Sequence, residues 1–244
     1  LSKDTFKVLE YIRDNPEVNP NISLSINTNL GVPDKLVDKF IELAKDLCEN
    51  NKVRELIVFT SIEAQGAQAE YTRHGLDADQ FWNNVDKVLT QLPKVTINVM
   101  ATFNALSVFT YDQVIDKIFE IKQKYANKDR YWVTPIQLDT SYLRWPAHLS
   151  VKILEDNHKE LILESAKKAL YYGMKEYTHD NVGFTNVEIQ KIKRIYDYAK
   201  SEDSFDVEKQ RSKFAKFVTE LDIRRGTNFH KTFPELKSMY VKYK

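Results

Sequence analysis

Short apolar segments alternate with longer amphipathic segments along the first half of the chain, and this rhythm limits the possible folds more than any other feature. Predicted strands begin near residues 22, 53, 95 and 131, and each gap holds a segment with apolar residues on one helical face. Gaps of about 30 to 40 residues suit strand–helix–strand units, which join parallel strands through right-handed crossovers. The sequence therefore predicts an α/β fold with about four parallel strands.

The alternation stops near Glu155, and a helical region follows. The predicted strands are 22–26, 53–60, 95–100 and 131–138. The predicted later helices are 155–172, 186–200 and 204–221. We therefore divide the chain into an α/β region, 1–154, and a helical region, 155–244, that is expected to pack on it.

Composition excludes several classes of protein. The chain has 244 residues, with 36 Lys and Arg against 35 Asp and Glu, so its net charge of +1 gives no overall attraction to nucleic acid or anionic membrane. Apolar runs are far shorter than the roughly 20 residues that span a bilayer. The single cysteine, Cys48, excludes an internal disulfide or a cysteine-based metal centre, and suits a reducing cytoplasm. The histidines are scattered, so we predict no metal ligands in this chain.

Polar residues follow the predicted strands, and they are the candidate binding residues. In parallel α/β folds, ligands bind outside the carboxyl ends of the strands. Ser61 and Glu63 are two residues apart and share a face, which suits a ribose diol or another polyol. Arg73 follows and can bind a carboxylate through two hydrogen bonds. The other strand-end candidates are Asn29, Asn104, Gln137, Leu138 and Asp139.

Each candidate also has a purely structural interpretation. Glu63 and Arg73 can form a surface ion pair worth about 0–1 kcal/mol. Asn29 and Asn104 are of a type common in turns. The sequence alone leaves these alternatives open.

An aromatic segment after the fourth strand is the candidate substrate-binding region. It contains Tyr142, Arg144 and Trp145, close to Asp139. Such a segment can line a substrate pocket, and it can equally form a packed lid.

Several of these segments resemble the radical S-adenosylmethionine superfamily. Ser-Ile-Glu-Ala at 61–64, followed by Glu-Tyr-Thr-Arg-His-Gly at 70–75, is similar to the fourth strand and ribose motif of that superfamily. Thr28-Asn29, Asn104 and the segment 132–138 are similar to the ends of its third and fifth strands and to its sixth strand. The segments 224–229 and 233–236 resemble twitch-type members from phages and bacteria. The resemblance covers most of the chain and depends on the order of short motifs.

The resemblance implies a fold, cofactors and roles for residues. The fold would be a partial (β/α)6 barrel, and the cofactors would be S-adenosylmethionine and a [4Fe–4S] cluster. The reaction would generate a 5′-deoxyadenosyl radical that abstracts hydrogen from an unknown substrate, a peptide or a small molecule, with electrons from a donor. Ser61 and Glu63 would hold the ribose or the methionine end, and Arg73 the methionine carboxylate. Asn29 and Asn104 would also contact the cofactor.

In the same family pattern, the backbone around Gln137 and Leu138 would face the adenine. One departure is large, because the family's three-cysteine loop is absent and Cys48 alone cannot hold a cluster. We therefore expect roughly one hundred further residues, two strand–helix units and the cluster loop, on the amino-terminal side of this chain. A natural descendant without a cluster is the other explanation. By itself the chain is expected to be catalytically inactive and, with an unpaired sheet edge, to aggregate or need a partner segment.

Two other functions compete with this interpretation. The first is a non-catalytic binding module, a degenerate barrel that recognises a ligand or a partner without redox chemistry. The second is a fragment of an aldolase or isomerase with Glu63 as general base. That enzyme would call for a lysine or a metal-binding trio at the strand ends, and the sequence has neither.

Overall fold

The structure is a computed structural model, and it describes residues 1–126, 134–175, 183–202 and 205–244. Its centre is a parallel sheet of four strands in the order β1-β2-β3-β4. The strands are β1 Ser23–Asn27, β2 Glu55–Thr60, β3 Val95–Phe103 and β4 Ile136–Tyr142. The predicted α/β class with four parallel strands is thus confirmed.

Ten α-helices accompany the sheet in the described residues. The helices between or before the strands are α1 Lys3–Asp14, α2 Asp34–Glu49, α3 Gly66–Thr72, α4 Ala78–Gln91 and α5 Tyr111–Lys124. The later helices are α6 Asp156–Lys175, α7 Asn186–Lys200, α8 Val207–Arg225, α9 Phe229–Thr232 and α10 Lys237–Tyr243. Short 3-10 turns at Ala147–Leu149, Val151–Ile153 and Pro234–Leu236 complete the elements. The boundary between 154 and 155 stays a prediction.

The fourth strand lies further along the chain than predicted. In the described residues it begins at Ile136, and residues 131–133 of the predicted strand lie outside the described residues. Gln137 and Leu138, at the end of the predicted strand, lie near the start of β4, and the strand continues through Asp139 to Tyr142, which were predicted to follow it. The reason is that β3 extends to Phe103, beyond its predicted end, and each added residue pairs with β4.

The two faces of the sheet differ sharply. The side chains of Ile26, Val58, Ile97 and Leu138 lie on one face and are buried, in a core shared with the crossover helices. The opposite face, which we call the open face, carries these side chains from β1 to β4: Ser23, Ser25, Asn27, Glu55, Ile57, Phe59, Thr96, Asn98, Met100, Thr102, Gln137, Asp139 and Ser141. Most of them are exposed or half-buried. The sheet thus presents a largely polar surface opposite its core.

Helix α7 runs along the outer edge of β4. Glu188, in its first turn, accepts a hydrogen bond from the backbone N–H of Leu138 at 2.8 Å. Further along, Lys191 pairs with Asp139 at 2.7 Å, and the helix maintains contact to the end of the strand. This helix occupies the position that a fifth strand would take, so the edge of β4 is covered.

No helix in the part of the chain that the structure describes combines the length and the apolar character needed to cross a membrane.

Candidate functional site

The loop from β2 to α3 positions Ser61 and Glu63 at the carboxyl end of the sheet. Its apolar residues Ile62 and Ala64 are buried and anchor it to the core. Its far end is fixed by the backbone N–H of Gln65, which donates to Thr110 Oγ1 at 3.0 Å. The loop is therefore held on both sides. Ser61 is half-buried.

The structure brings Glu63 and Arg73 together. Arg73 follows the last residue of α3, and its Nε and one Nη atom donate to Glu63 Oε2 at 2.9 and 2.6 Å. The Glu63 side chain is only 8% exposed, whereas the Arg73 side chain is 30% exposed. The ion pair suggested by the spacing is present, and its carboxylate lies in the protein interior and not on the surface.

Both partners keep capacity for a ligand. The two hydrogen bonds from Arg73 end on Oε2, and no described residue donates to Glu63 Oε1. No described residue accepts from Nη1 of Arg73. One carboxylate oxygen of Glu63 and one guanidinium nitrogen of Arg73 thus keep capacity for further hydrogen bonds. A carboxylate accepts from an ammonium or a hydroxyl, and a guanidinium donates to a carboxylate.

Burial governs the electrostatics of Glu63. Removal of the carboxylate from water raises the pKa of Glu63, while the charge and hydrogen bonds of Arg73 oppose the rise. The net direction is upward, so the pairing does not fully offset the cost of burying the charge. Such an incompletely compensated carboxylate is typical of binding and catalytic sites.

Helix α3, which leads to Arg73, is attached to the carboxyl-terminal turn of α8. The hydroxyl of Tyr71 donates to Asp222 Oδ1 at 3.1 Å, and Arg225 donates to the carbonyl oxygen of Tyr71 at 3.2 Å. The Tyr71 ring meets Phe233 edge-on, with ring centroids 5.3 Å apart. The Arg224–Asn228 turn therefore supports the helix that positions Arg73.

The two candidate asparagines have different environments. Asn104 follows β3, where its Oδ1 accepts from the N–H of Leu106 at 2.9 Å and its Nδ2 donates to the carbonyl oxygen of Thr102 at 3.2 Å. These are the contacts of a turn residue, the alternative left open above. Asn29 is exposed, beside the end of β1. Within the described residues, no hydrogen bond joins either asparagine to Glu63 or Arg73.

The residues of β4 are largely occupied by structural contacts. Leu138 is buried on the core face, and its N–H is bound by Glu188. Gln137 is exposed on the open face, and Asp139 is paired with Lys191. The structure thus provides no free Leu138 N–H for the predicted adenine contact.

The aromatic segment divides into two parts. The ring of Tyr142 stacks on Tyr198 of α7 with centroids 4.2 Å apart, and Arg144 donates to the Tyr142 hydroxyl at 2.8 Å. This part is packed, as expected for a lid. Trp145 is 80% exposed and lines a cavity of about 560 Å³ between its loop and α8.

Sequence reasoning missed the α8 side of this cavity. The lining residues of α8 include Lys213, Phe217, Leu221 and Arg224. Their spacing of three or four residues places them on one face of the helix. This spacing is visible in the sequence and could have indicated the surface.

The implied cofactors fit this chain unequally. Cys48, the only cysteine of the sequence, lies on α2, and burial raises the pKa of its thiol, which disfavours the thiolate that iron requires. No group of three metal-ligating side chains occurs among the residues that the structure describes. The cluster therefore does not fit this chain. The amino acid end of S-adenosylmethionine carries an ammonium and a carboxylate, the kinds of group that a Glu carboxylate and an Arg guanidinium bind.

Comparisons of the chain with protein-family models, with curated proteins and with solved structures found no match.

Proposed function

We propose that this chain is part of a radical S-adenosylmethionine enzyme and binds S-adenosylmethionine beside Glu63 and Arg73. The observation that carries the proposal is the buried Glu63 near the carboxyl end of a parallel strand, where Arg73 donates two hydrogen bonds to Oε2 and no described residue donates to Oε1. That edge of a parallel sheet is where α/β folds bind ligands.

The topology supports the same proposal. Four parallel strands in consecutive order, with crossover helices against one face, form the arrangement expected of a segment of a (β/α)6 barrel. In such a barrel the open face would point inward. Its many polar side chains suit an interior that holds a polar ligand better than one that is packed tightly.

The chemistry divides between this chain and groups that it cannot hold. S-adenosylmethionine supplies the 5′-deoxyadenosyl group for radical chemistry in this superfamily. The contribution of this chain is binding: Arg73 takes the methionine carboxylate, Glu63 accepts from the ammonium or a ribose hydroxyl, and Ser61 adds a neighbouring hydroxyl. Cluster ligands and an electron donor must come from elsewhere, so the chain alone binds without turnover.

Binding of S-adenosylmethionine tests the site directly. In equilibrium dialysis at neutral pH, Glu63→Gln is expected to raise the dissociation constant at least tenfold, which corresponds to about 1.4 kcal/mol. Glu55→Gln is the matched control, since Glu55 lies at the opposite end of the same strand and bonds to Ser23. Equal dissociation constants for both variants and the parent chain would leave Glu63 as a structural residue only.

The presence of only one cysteine favours a second candidate, a non-catalytic binding module. Anaerobic reconstitution of the full-length protein with iron and sulfide separates the two. An enzyme turns brown and releases 5′-deoxyadenosine when it is reduced, whereas a binding module stays colourless and only binds.

A further inference from the structure

One face of α8 forms an apolar stripe with positive charges beside it, and this stripe is the wall of the cavity of about 560 Å³. Phe217 and Leu221 supply its apolar centre. Lys213, Lys216 and Arg224 supply the charges, and no described residue pairs with either lysine. The only acidic residue of the lining, Glu220, already lies 3.7 Å from Arg224.

The opposite wall is the loop that follows β4. Trp145 projects from it with 80% of its surface exposed, next to Pro146 and Ala147. His148 closes the floor, with its ring centroid 5.2 Å from that of Phe217. Burial and the charge of Lys213 lower the pKa of His148, so its ring is neutral at neutral pH and adds no charge to the apolar floor.

We propose that this groove binds an acidic peptide segment, with an apolar side chain between Trp145 and Phe217 and carboxylates on Lys213 and Lys216. The excess of positive charge is local, because the whole chain has a net charge of only +1. A mostly apolar centre with cationic edges complements a peptide whose apolar residues are flanked by Asp or Glu.

The dimensions agree with a short peptide. Residues 213 to 224 of α8 span about 16 Å along the helix axis. An extended peptide advances about 3.3 Å per residue, so about five residues cover the groove. A single-stranded nucleic acid is the alternative anionic occupant, and the test below distinguishes it from a peptide.

A labelled peptide provides the test. The probe is a fluorescein-labelled hexapeptide with leucine and phenylalanine at its centre and two acidic residues on each side, titrated with the 244-residue chain by fluorescence anisotropy. We expect saturable binding, at least tenfold weaker with Lys213→Glu/Lys216→Glu and at least threefold weaker with Trp145→Ala. All three side chains are exposed, so circular dichroism should show unchanged folding.

Controls decide whether the groove is responsible. Lys3→Glu/Lys35→Glu makes the same change in net charge at exposed positions of α1 and α2, and should leave the affinity unchanged. The proposal is overturned if the acidic probe fails to bind, or if the charge reversal on α8 leaves its affinity unaltered. It is also overturned if a hexapeptide with lysines in place of the acidic residues binds equally well, or if an oligothymidylate binds more tightly.

Discussion

At the scale of single residues, one buried carboxylate organises the junction of three elements. Glu188 binds Lys122 of α5 at 3.0 Å and the N–H of Leu138 of β4 at 2.8 Å. It also accepts from the N–H and hydroxyl of Thr185, which caps its own helix. Lys122 is fully buried and Glu188 nearly so. A charge pair this deep needs every one of these hydrogen bonds to offset the loss of water.

Removal of one partner of this pair is expected to be costly. Lys122→Met should lower the free energy of unfolding by about 3–5 kcal/mol, because Glu188 is left charged and buried. The double variant Lys122→Met/Glu188→Gln should recover part of that loss. Urea denaturation of the parent chain, the two single variants Lys122→Met and Glu188→Gln, and the double variant measures the coupling energy between Lys122 and Glu188. Lys117→Met, which breaks an exposed pair with Glu120 on the same helix, should change the free energy by less than about 1 kcal/mol. Similar losses for both lysines would contradict the role assigned to the buried pair.

In contrast to the Lys122–Glu188 pair, the charged form of Glu63 is expected to destabilise the folded protein, because burial raises the pKa of Glu63. The folded protein then binds the Glu63 proton more tightly than the unfolded chain does. Through the pH range just above the ordinary pKa of a glutamate, the folded state holds more protons, and the free energy of unfolding falls as pH rises.

Glu63→Gln is therefore expected to remove this pH-dependent loss. Relative to the parent chain, the variant should gain stability between pH 4 and pH 7, as measured by urea denaturation at each pH. Glu17→Gln, at an exposed loop position, removes a carboxylate without burial and is the control. If the Glu63→Gln variant becomes less stable relative to the parent chain as pH rises, Arg73 lowers the pKa of Glu63 by more than burial raises it.

At the scale of elements, the sequence predicts strands and helices well where the local pattern is strong. The helix predicted over 186–200 has the same bounds as α7, because its capping box and apolar face are local features. In β4, however, Asp139, Thr140 and Ser141 look like the residues of a loop. They form a strand because β3 pairs with them and one face is open, and neither fact can be read locally. The pairing of Glu63 with Arg73 was foreseen as an alternative, but its burial depends on the surrounding core.

The junction of α3, α8 and α9 is another feature that depends on tertiary structure. Asp222 accepts from the hydroxyls of Tyr71 and Thr227 and from the N–H of Phe229, at 3.1, 2.7 and 2.8 Å. These bonds join three helices at one carboxylate. Since α3 leads to Arg73, the junction also supports the candidate site.

Loss of the Asp222 carboxylate should therefore weaken the fold. Asp222→Ala is expected to lower the free energy of unfolding by about 2–3 kcal/mol, at about 1 kcal/mol for each hydrogen bond. Glu220→Ala, two residues earlier on the same helix and exposed, should have an effect within about 0.5 kcal/mol. Urea denaturation of the two variants checks the difference, and equal effects would mean that the junction contributes nothing.

At the scale of the whole molecule, the sheet is covered unequally. Its core face is packed, and α7 covers the edge of β4. The strand β1 is the other edge of the sheet, and no described strand pairs with its outer side. On the open face, the apolar residues Ile57 and Phe59 are half-buried and Met100 is 43% exposed. Parallel sheets are normally covered on both faces, so this surface favours association.

The isolated chain is accordingly expected to self-associate through the open face. Sedimentation velocity over a range of concentrations should show species heavier than the 28.6 kDa monomer. Met100→Lys should shift the distribution toward monomer, because it replaces an apolar side chain of the open face that is 43% exposed with a charged one. Val8→Lys makes the same kind of change at an exposed position on α1 and should leave association unaltered. Equal effects of Met100→Lys and Val8→Lys would show that the open face does not drive association. A monomer at every concentration would show in addition that the uncovered sheet is stable in water by itself.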